Sequence, residues 1–375
     1  MTETPEEGIG TGTIQQTGFE EITTMVSAEF QIEETILEHN IPTYYLKQPQ
    51  ETKDAFLRLL QKLEAMSLIA VLRRIDGRVV LKVISKPPTR RSNVLVNWVL
   101  FFATIGTTFL TGYMLSEGMI DPILGGATFT IAIMAVLGMH EMGHKLAANK
   151  EGIDATPPYF IPGPPPIGGF LGIGTFGAVI MQKSLPPNKD ALFDVGSSGP
   201  IIGFVISLVA LVVGLPFSVP DWVPKDTSTL PVPLLLELII GYFPLSGGPP
   251  SPGPDYVPVI MLHPVAVAGW VGIFVTMLNL LPAAMLDGGH VARSLFGGKT
   301  RSVLTTLSII SLVFVSFPMA FFVLFMSMYK HPGPLDDVSS LSTNRKLLAI
   351  VLLAIFVLSS FLHYFVYLLL SLLGG

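Results

Sequence analysis

The sequence predicts an all-α polytopic membrane protein with about six transmembrane helices, preceded by a small α+β cytoplasmic domain. Three observations carry that prediction. Half of the 375 residues are hydrophobic and only 13% are charged, against about 25% charged in average soluble domains. The mean hydropathy is +0.61. The charge is also uneven, since 24 of the 49 charged residues lie at or before Arg91. The first quarter therefore reads as water-soluble and the remainder as membrane.

Taken in order, residues 1–18 are rich in Gly, Thr, Glu and Gln and read as a disordered tail. Residues 19–86 read as the soluble α+β domain. Within it, Glu29–His39 and Asp54–Met66 carry helical spacing. Leu68–Arg73 and Arg78–Ile84 are β-rich runs flanking Asp76-Gly77, a two-residue hairpin turn signal. Pro42–Leu46 adds a strand. Nothing in this domain points to catalysis, so recognition or regulation is its expected role. Residues 87–92 form a basic hinge, Lys86-Pro87-Pro88-Thr89-Arg90-Arg91 with its neighbour Ser92. The first 30 residues lack a basic stretch followed by an apolar one, so no signal peptide is expected.

The membrane domain is expected over 93–375, with its core at about 122–300. Roughly 20 apolar residues span a bilayer as a helix. The stretches 93–115, 122–148, 191–214, 259–282, 302–328 and 347–372 qualify. Leu234–Tyr242 is too short to span and reads as interfacial or re-entrant. Lys/Arg placement orients the chain. Lys86, Arg90 and Arg91 put the N-terminus in the cytoplasm, and Lys145, Lys150, Arg293, Lys299 and Arg301 fall on the same side. The loop carrying Lys330, Arg345 and Lys346 falls outside and argues against this topology, with only Asp336 and Asp337 as offset. The Pro- and Gly-rich stretch 217–258 is also expected outside.

Composition excludes several classes. The absence of cysteine rules out disulfides and thiolate metal sites. A net charge of −5 with no basic domain gives no support for a nucleic-acid partner.

The chemistry begins at His140-Glu141-Met142-Gly143-His144, an H-E-x-x-H run at the end of the second span. On a helix, His140 and His144 share one face and can bind one metal ion. Glu141 stands beside them, placed to take a proton from water activated by that ion. Ionisable residues inside an apolar span are costly and mark function; the plainer reading is a polar cluster at a helix end. Two His ligands leave a zinc site one protein ligand short. Asp287 is the favoured third ligand, set between apolar residues and Gly288-Gly289. There an Asp is costly unless paired or metal-bound, although it could instead cap a helix. Asp194 is a rival that reads as a cap at the start of the third span. His290 is either an outer support for the site or a surface residue. His263 sits at the wrong depth, His39 and His331 lie in polar segments, and His363 reads as a helix–helix hydrogen bond or a ligand.

H-E-x-x-H on one span, followed by Asn279-x-x-Pro282 and Leu286-Asp287-Gly288-Gly289 on a later one, resembles the site-2 protease family of intramembrane zinc metalloproteases, peptidase M50. The resemblance covers most of residues 93–300. Ala148–Gly152 with Pro158-Tyr159-Phe160 is similar to the archaeal and chloroplast branch. Gly168–Gln182 is similar to the family's small membrane-associated β-hairpin or edge strand, and Ala191–Phe204, with Gly199-Pro200, also fits. No PDZ-like insertion or CBS pair is visible, and the N-terminal domain is not part of the common core.

The resemblance implies one Zn2+ per chain held by His140, His144 and Asp287, with Glu141 as catalytic base and acid. It implies that Asn279 contacts substrate near the metal; a helix-packing amide is the alternative. The implied activity is hydrolysis of peptide bonds in or near transmembrane segments of a membrane-protein substrate, within the lipid bilayer and open to cytoplasmic water. A non-proteolytic metal-binding transporter or scaffold, and a binding module working through the N-terminal domain, are the competing readings.

Overall fold

The computed structural model describes residues 16–88, 92–167, 172–227, 229–242, 248–315, 317–328 and 332–361. The chain divides into two compact units, one built on the N-terminal 90 residues and one on the remainder.

The first unit runs α1 (Gln16–Glu29), β1 (Ile32–Glu38), β2 (Ile41–Leu46), α2 (Lys53–Glu64), β3 (Leu68–Ile75) and β4 (Arg78–Ser85). The four strands form one antiparallel sheet in the order β1-β2-β4-β3. Asp76 and Gly77 both have positive φ, 50° and 82°, the geometry of a type I′ turn, which matches the twist of the flanking strands. α2 buries Ala55, Phe56, Leu59 and Leu63 on one stripe. With Ile22 and Val26 of α1 and Phe30 just beyond it, they cover Tyr44, Leu72, Leu81 and Val83 of the sheet. Lys62 and Arg58 both bond Glu29, at 2.6 and 2.8 Å, and hold its carboxyl below the usual carboxylate range.

Two expectations change here. Glu29–His39 is not a helix: Ile32–Glu38 is strand β1. The β-branched Ile32, Thr35 and Ile36 fit a strand. The next two residues, His39 and Asn40, take positive φ and turn the chain back onto β2. Cross-strand pairing overrides the local spacing. The chain also becomes helical at Gln16, inside the stretch read as a tail; residues 1–15 lie outside the described residues.

The unit also takes in Leu185–Lys189 and Pro332–Ser340. Leu72 of edge strand β3 donates to Leu335 O (2.9 Å), and Leu335 donates to Pro186 O (2.8 Å). An edge strand exposes unpaired backbone groups, and these later segments satisfy some of them.

The second unit opens with α3 (Val94–Leu115) and α4 (Pro122–Lys150), two long helices packed side by side. Asp121 caps α4 by accepting from Leu124 N (2.9 Å), with Pro122 in the first turn. Then come β5 (Tyr159–Pro162) and β6 (Thr175–Val179), paired antiparallel, followed by α5 (Lys189–Gly214) and a 3-10 turn over Leu215–Phe217. The hairpin similarity inferred for Gly168–Gln182 coincides with β6; Gly168 to Leu171 lie outside the described residues. β7 (Val219–Pro224) pairs with β8 (Tyr256–Met261), and the short α6 (Leu234–Tyr242) lies between them in sequence. α7 (Pro264–Asn279), α8 (Asp287–Leu295), α9 (Gly298–Val315), α10 (Phe317–Ser327) and α11 (Thr343–Ser359) complete the unit.

Among the described residues, three helices are long and apolar enough to cross a membrane: Val94–Leu115, Pro122–Lys150 and Lys189–Phe217. The other expected spans are shorter. The start of 259–282 is strand β8, and the helix begins only at Pro264, capped by His263. The stretch 302–328 divides into α9 and α10, with Pro318 in the first turn of α10. A proline has no N–H to continue the preceding ladder. α11 covers part of 347–372, and residues 362–375, including His363, lie outside the described residues.

Helix packing bears on the orientation expected for the loop before α11. Arg345 bonds Asp190 and Asp194 in the first turns of α5, so the two helices start at the same end. Leu312 of α9 and Ala320 and Val323 of α10 share one cluster with Leu281 and Ala283. The loop before α11 thus lies at the end where α5 begins. Because the chain has no cysteine, labelling can test this directly. Single Lys150→Cys and Lys346→Cys variants should react with an impermeant thiol reagent from the same face of sealed vesicles. Labelling from opposite faces would restore the original topology.

Candidate metal centre

α4 carries the first half of the site. His140 and His144 stand four residues apart, about 27–33 Å along the helix from Pro122, and with Glu141 they are 5–7% exposed. The second half comes from the break between α7 and α8. α7 ends at Asn279, and Pro282 and Ala284 (φ 46°) turn the chain so that Asp287 opens α8. Gly288 and Gly289 permit that turn. A Cβ on Gly288 would lie 2.1 Å from Leu280 O, and one on Gly289 2.4 Å from Ala284 O.

Three side-chain atoms from these halves converge. His140 Nε2 and His144 Nε2 are 3.1 Å apart. Asp287 Oδ2 lies 3.2 Å from His140 Nε2 and 3.3 Å from His144 Nε2. A tetrahedral zinc ion with bonds of about 2.0–2.1 Å separates its ligand atoms by about 3.3–3.4 Å. The triangle therefore has the dimensions of one face of that tetrahedron, and a pair of imidazoles with a carboxylate is a zinc-type donor set. His140, Glu141 and His144 also group as potential metal ligands by proximity.

The neighbours orient these groups. His144 Nδ1 lies 2.7 Å from Val195 O. A carbonyl can only accept, so Nδ1 carries the proton and Nε2 presents its lone pair to the triangle. The Ile180 backbone, just past β6, lies beside the Glu141 carboxylate. Asn279 Nδ2 lies 3.2 Å from His140 Nε2.

Helix α5 closes the back of the site. A Cβ on Gly199 would stand 2.1 Å from His144 Nε2, so a side chain there would occupy the ligand's own space. Gly199→Ala is expected to weaken zinc binding about 5- to 150-fold, in line with the 1–3 kcal/mol typical of overpacking. Zinc content after dialysis against a graded chelator checks this.

The other candidates sit elsewhere. Asp194 is in the second turn of α5 rather than at its cap, with its carboxylate held by the Arg345 guanidinium at 2.7 and 2.5 Å. His263 caps the far end of α7. His39 lies in the β1–β2 turn of the other unit. His290 is one turn beyond Asp287, its Cβ against Gly196. His331 is outside the described residues. Sequence reasoning missed the Val195 carbonyl and the Ile180 backbone, which no side-chain pattern advertises. It also missed Arg345, although Asp190 and Asp194 at helical spacing gave a signal that a cation was needed.

The model of peptidase family M50 matches residues 128–323, just over half of the chain, and the match encloses all five residues nominated for the site. The chain belongs to peptidase family M50. Among curated proteins it is similar to the probable zinc metalloprotease EGY1, chloroplastic, of Oryza sativa subsp. japonica, at 31% identity over 60% of this chain and 39% of that protein. The Arabidopsis thaliana protein of the same name is 26% identical over 76% of this chain and 56% of its own length. Arabidopsis EGY2, also named a probable zinc metalloprotease, is 31% identical over 54% and 35%. The M50 chain thus spans about half or less of the length of these relatives. No solved structure matches it.

Proposed function

We propose that this M50 member is an intramembrane zinc metalloprotease that hydrolyses peptide bonds in or near the transmembrane segments of membrane-protein substrates. The observation that carries the reading is the triangle of His140 Nε2, His144 Nε2 and Asp287 Oδ2, with the buried Glu141 beside it on an apolar helix.

In this reading His140, His144 and Asp287 hold one zinc ion per chain. When bound, zinc supplies Lewis acidity, lowering the pKa of water from 15.7 towards about 7 and polarising a peptide carbonyl. Glu141 takes the proton from the attacking water and passes it to the leaving amine. Asn279 donates its amide to the substrate carbonyl. A helical substrate keeps its carbonyls in its own hydrogen bonds, so it must unwind before cleavage. Among the described residues β6 pairs with β5 alone, and its other edge offers an extended segment backbone partners.

The lipid bilayer surrounds the long apolar helices, in a multi-pass arrangement of up to six spans. The Lys/Arg placement at Lys145 and Lys150 puts the site on the cytoplasmic side. The N-terminal unit serves recognition or regulation. Metal transport would have no need of the Glu141 carboxylate, which favours hydrolysis over the transporter reading.

The test uses the purified full chain with a single-span substrate. Cleavage should disappear on chelation and return on adding about one equivalent of zinc. Cleavage that survives complete metal removal would overturn the proposal.

A further inference from the structure

The Val195 carbonyl fixes the His144 ring, so whatever fixes Val195 also fixes the metal face. Val195 sits in the second turn of α5, and the helix is weakened just beyond it. Pro200 lies inside α5 and cannot donate to Gly196 O, which removes a rung of the helical ladder. The first turns of α5 therefore need support from outside the helix.

Arg345 supplies that support. Its Nε and Nη2 fork onto the two oxygens of Asp194 at 2.7 and 2.5 Å, and Nη1 reaches Asp190 Oδ2 at 3.0 Å. Nη1 also bonds Ser342 Oγ at 2.9 Å, and Ser342 N donates to Asp190 Oδ1 at 3.0 Å. The start of α11 is thus bolted to two adjacent turns of α5, on the residue next to Val195. The Arg345 side chain is 25% exposed, Asp190 12% and Asp194 20%, so solvent screens this cluster less than an open surface pair. A bidentate fork also sets geometry as well as charge, which a lysine cannot do. Arg345 lies beyond the residues matched by the family model.

We propose that Arg345 is a positioning residue for the metal centre: through Asp194 and Asp190 it holds the Val195 carbonyl where it aims His144 Nε2 at the ion. The inference rests on the zinc reading of the site. Groups that orient a metal-bound histidine typically change metal affinity by about 10–100-fold when removed.

The experiment measures zinc affinity of the full chain in detergent by competition with a chromophoric chelator, alongside the visible absorption of the cobalt-substituted protein. Arg345→Ala and Asp194→Asn should each weaken zinc about 10-fold or more and alter the cobalt bands. Arg345→Lys, which keeps charge without the fork, should fall between them and the wild type and covers the case in which Arg345→Ala does not fold. Leu352→Ala loosens the buried face of α11 without touching the fork, and should leave zinc affinity unchanged. Wild-type affinity in both Arg345→Lys and Asp194→Asn would overturn the proposal, as would an equal loss in Leu352→Ala. His144→Ala separates the two levels. Loss of zinc there upholds the centre whatever Arg345 does, and retention of zinc there refutes the centre itself.

Discussion

Glu141→Gln is expected to abolish peptide cleavage while leaving zinc bound. Glutamine has the shape of glutamate and fits the same buried place beside the Ile180 backbone. The three ligand atoms are untouched, because the triangle is made by His140, His144 and Asp287. What the amide cannot do is take a proton from water and return it to the leaving nitrogen. General acid–base catalysis contributes about 10²–10⁴-fold, and here one residue serves both steps, so the upper part of that range applies. The check is single-turnover cleavage of a single-span substrate, with zinc per chain measured on the same sample. Cleavage at the wild-type rate by a zinc-loaded Glu141→Gln protein would sink the mechanism. Loss of zinc as well would mean that Glu141 belongs to the ligand set.

Asp287→Ala is expected to empty the site. It leaves two imidazoles on one helix face and removes the only anionic corner of the triangle. Removal of an outer group costs about 10–100-fold in metal affinity, and a direct ligand should cost more than that. Zinc per chain after dialysis should fall well below one equivalent, and activity should fall with it. Asp287→Asn keeps the shape and loses the charge, so it should lie between Asp287→Ala and the wild type. Full zinc retention in Asp287→Ala would count against the third-ligand role. Because Asp287 opens α8 beside Gly288 and Gly289, far-ultraviolet circular dichroism of both variants separates ligand loss from collapse of the turn.

Much of the site was legible because its parts are locally encoded. H-E-x-x-H declares itself through helical periodicity, and the structure brings its two imidazoles to 3.1 Å. Asp287 stood out as a charge that its apolar, glycine-rich surroundings could not tolerate unpartnered. The Asp76-Gly77 turn was legible for a similar reason, since its two positive-φ positions name their residues. Expectations failed where the deciding partner lay elsewhere in the chain. Ile32–Glu38 carries helical spacing yet pairs as a strand with Ile41–Leu46. Arg345 read as a misplaced loop charge because Asp190 and Asp194 precede it by about 150 residues, although all three meet in one cluster.

The sequence by itself determined the membrane character of this M50 chain, the helix that carries His140, Glu141 and His144, and the candidate for the third ligand. Those follow from composition and from spacing within a few turns, where neighbouring residues set their own geometry. Only the tertiary structure decided which groups orient the ligands, that α11 begins beside α5, and how the halves of the triangle meet across 142 residues of intervening chain. Helix packing sets those positions. It rests on backbone carbonyls such as Val195 O and on contacts as close as that of Gly199 against His144, and a packing distance has no local pattern by which to announce itself.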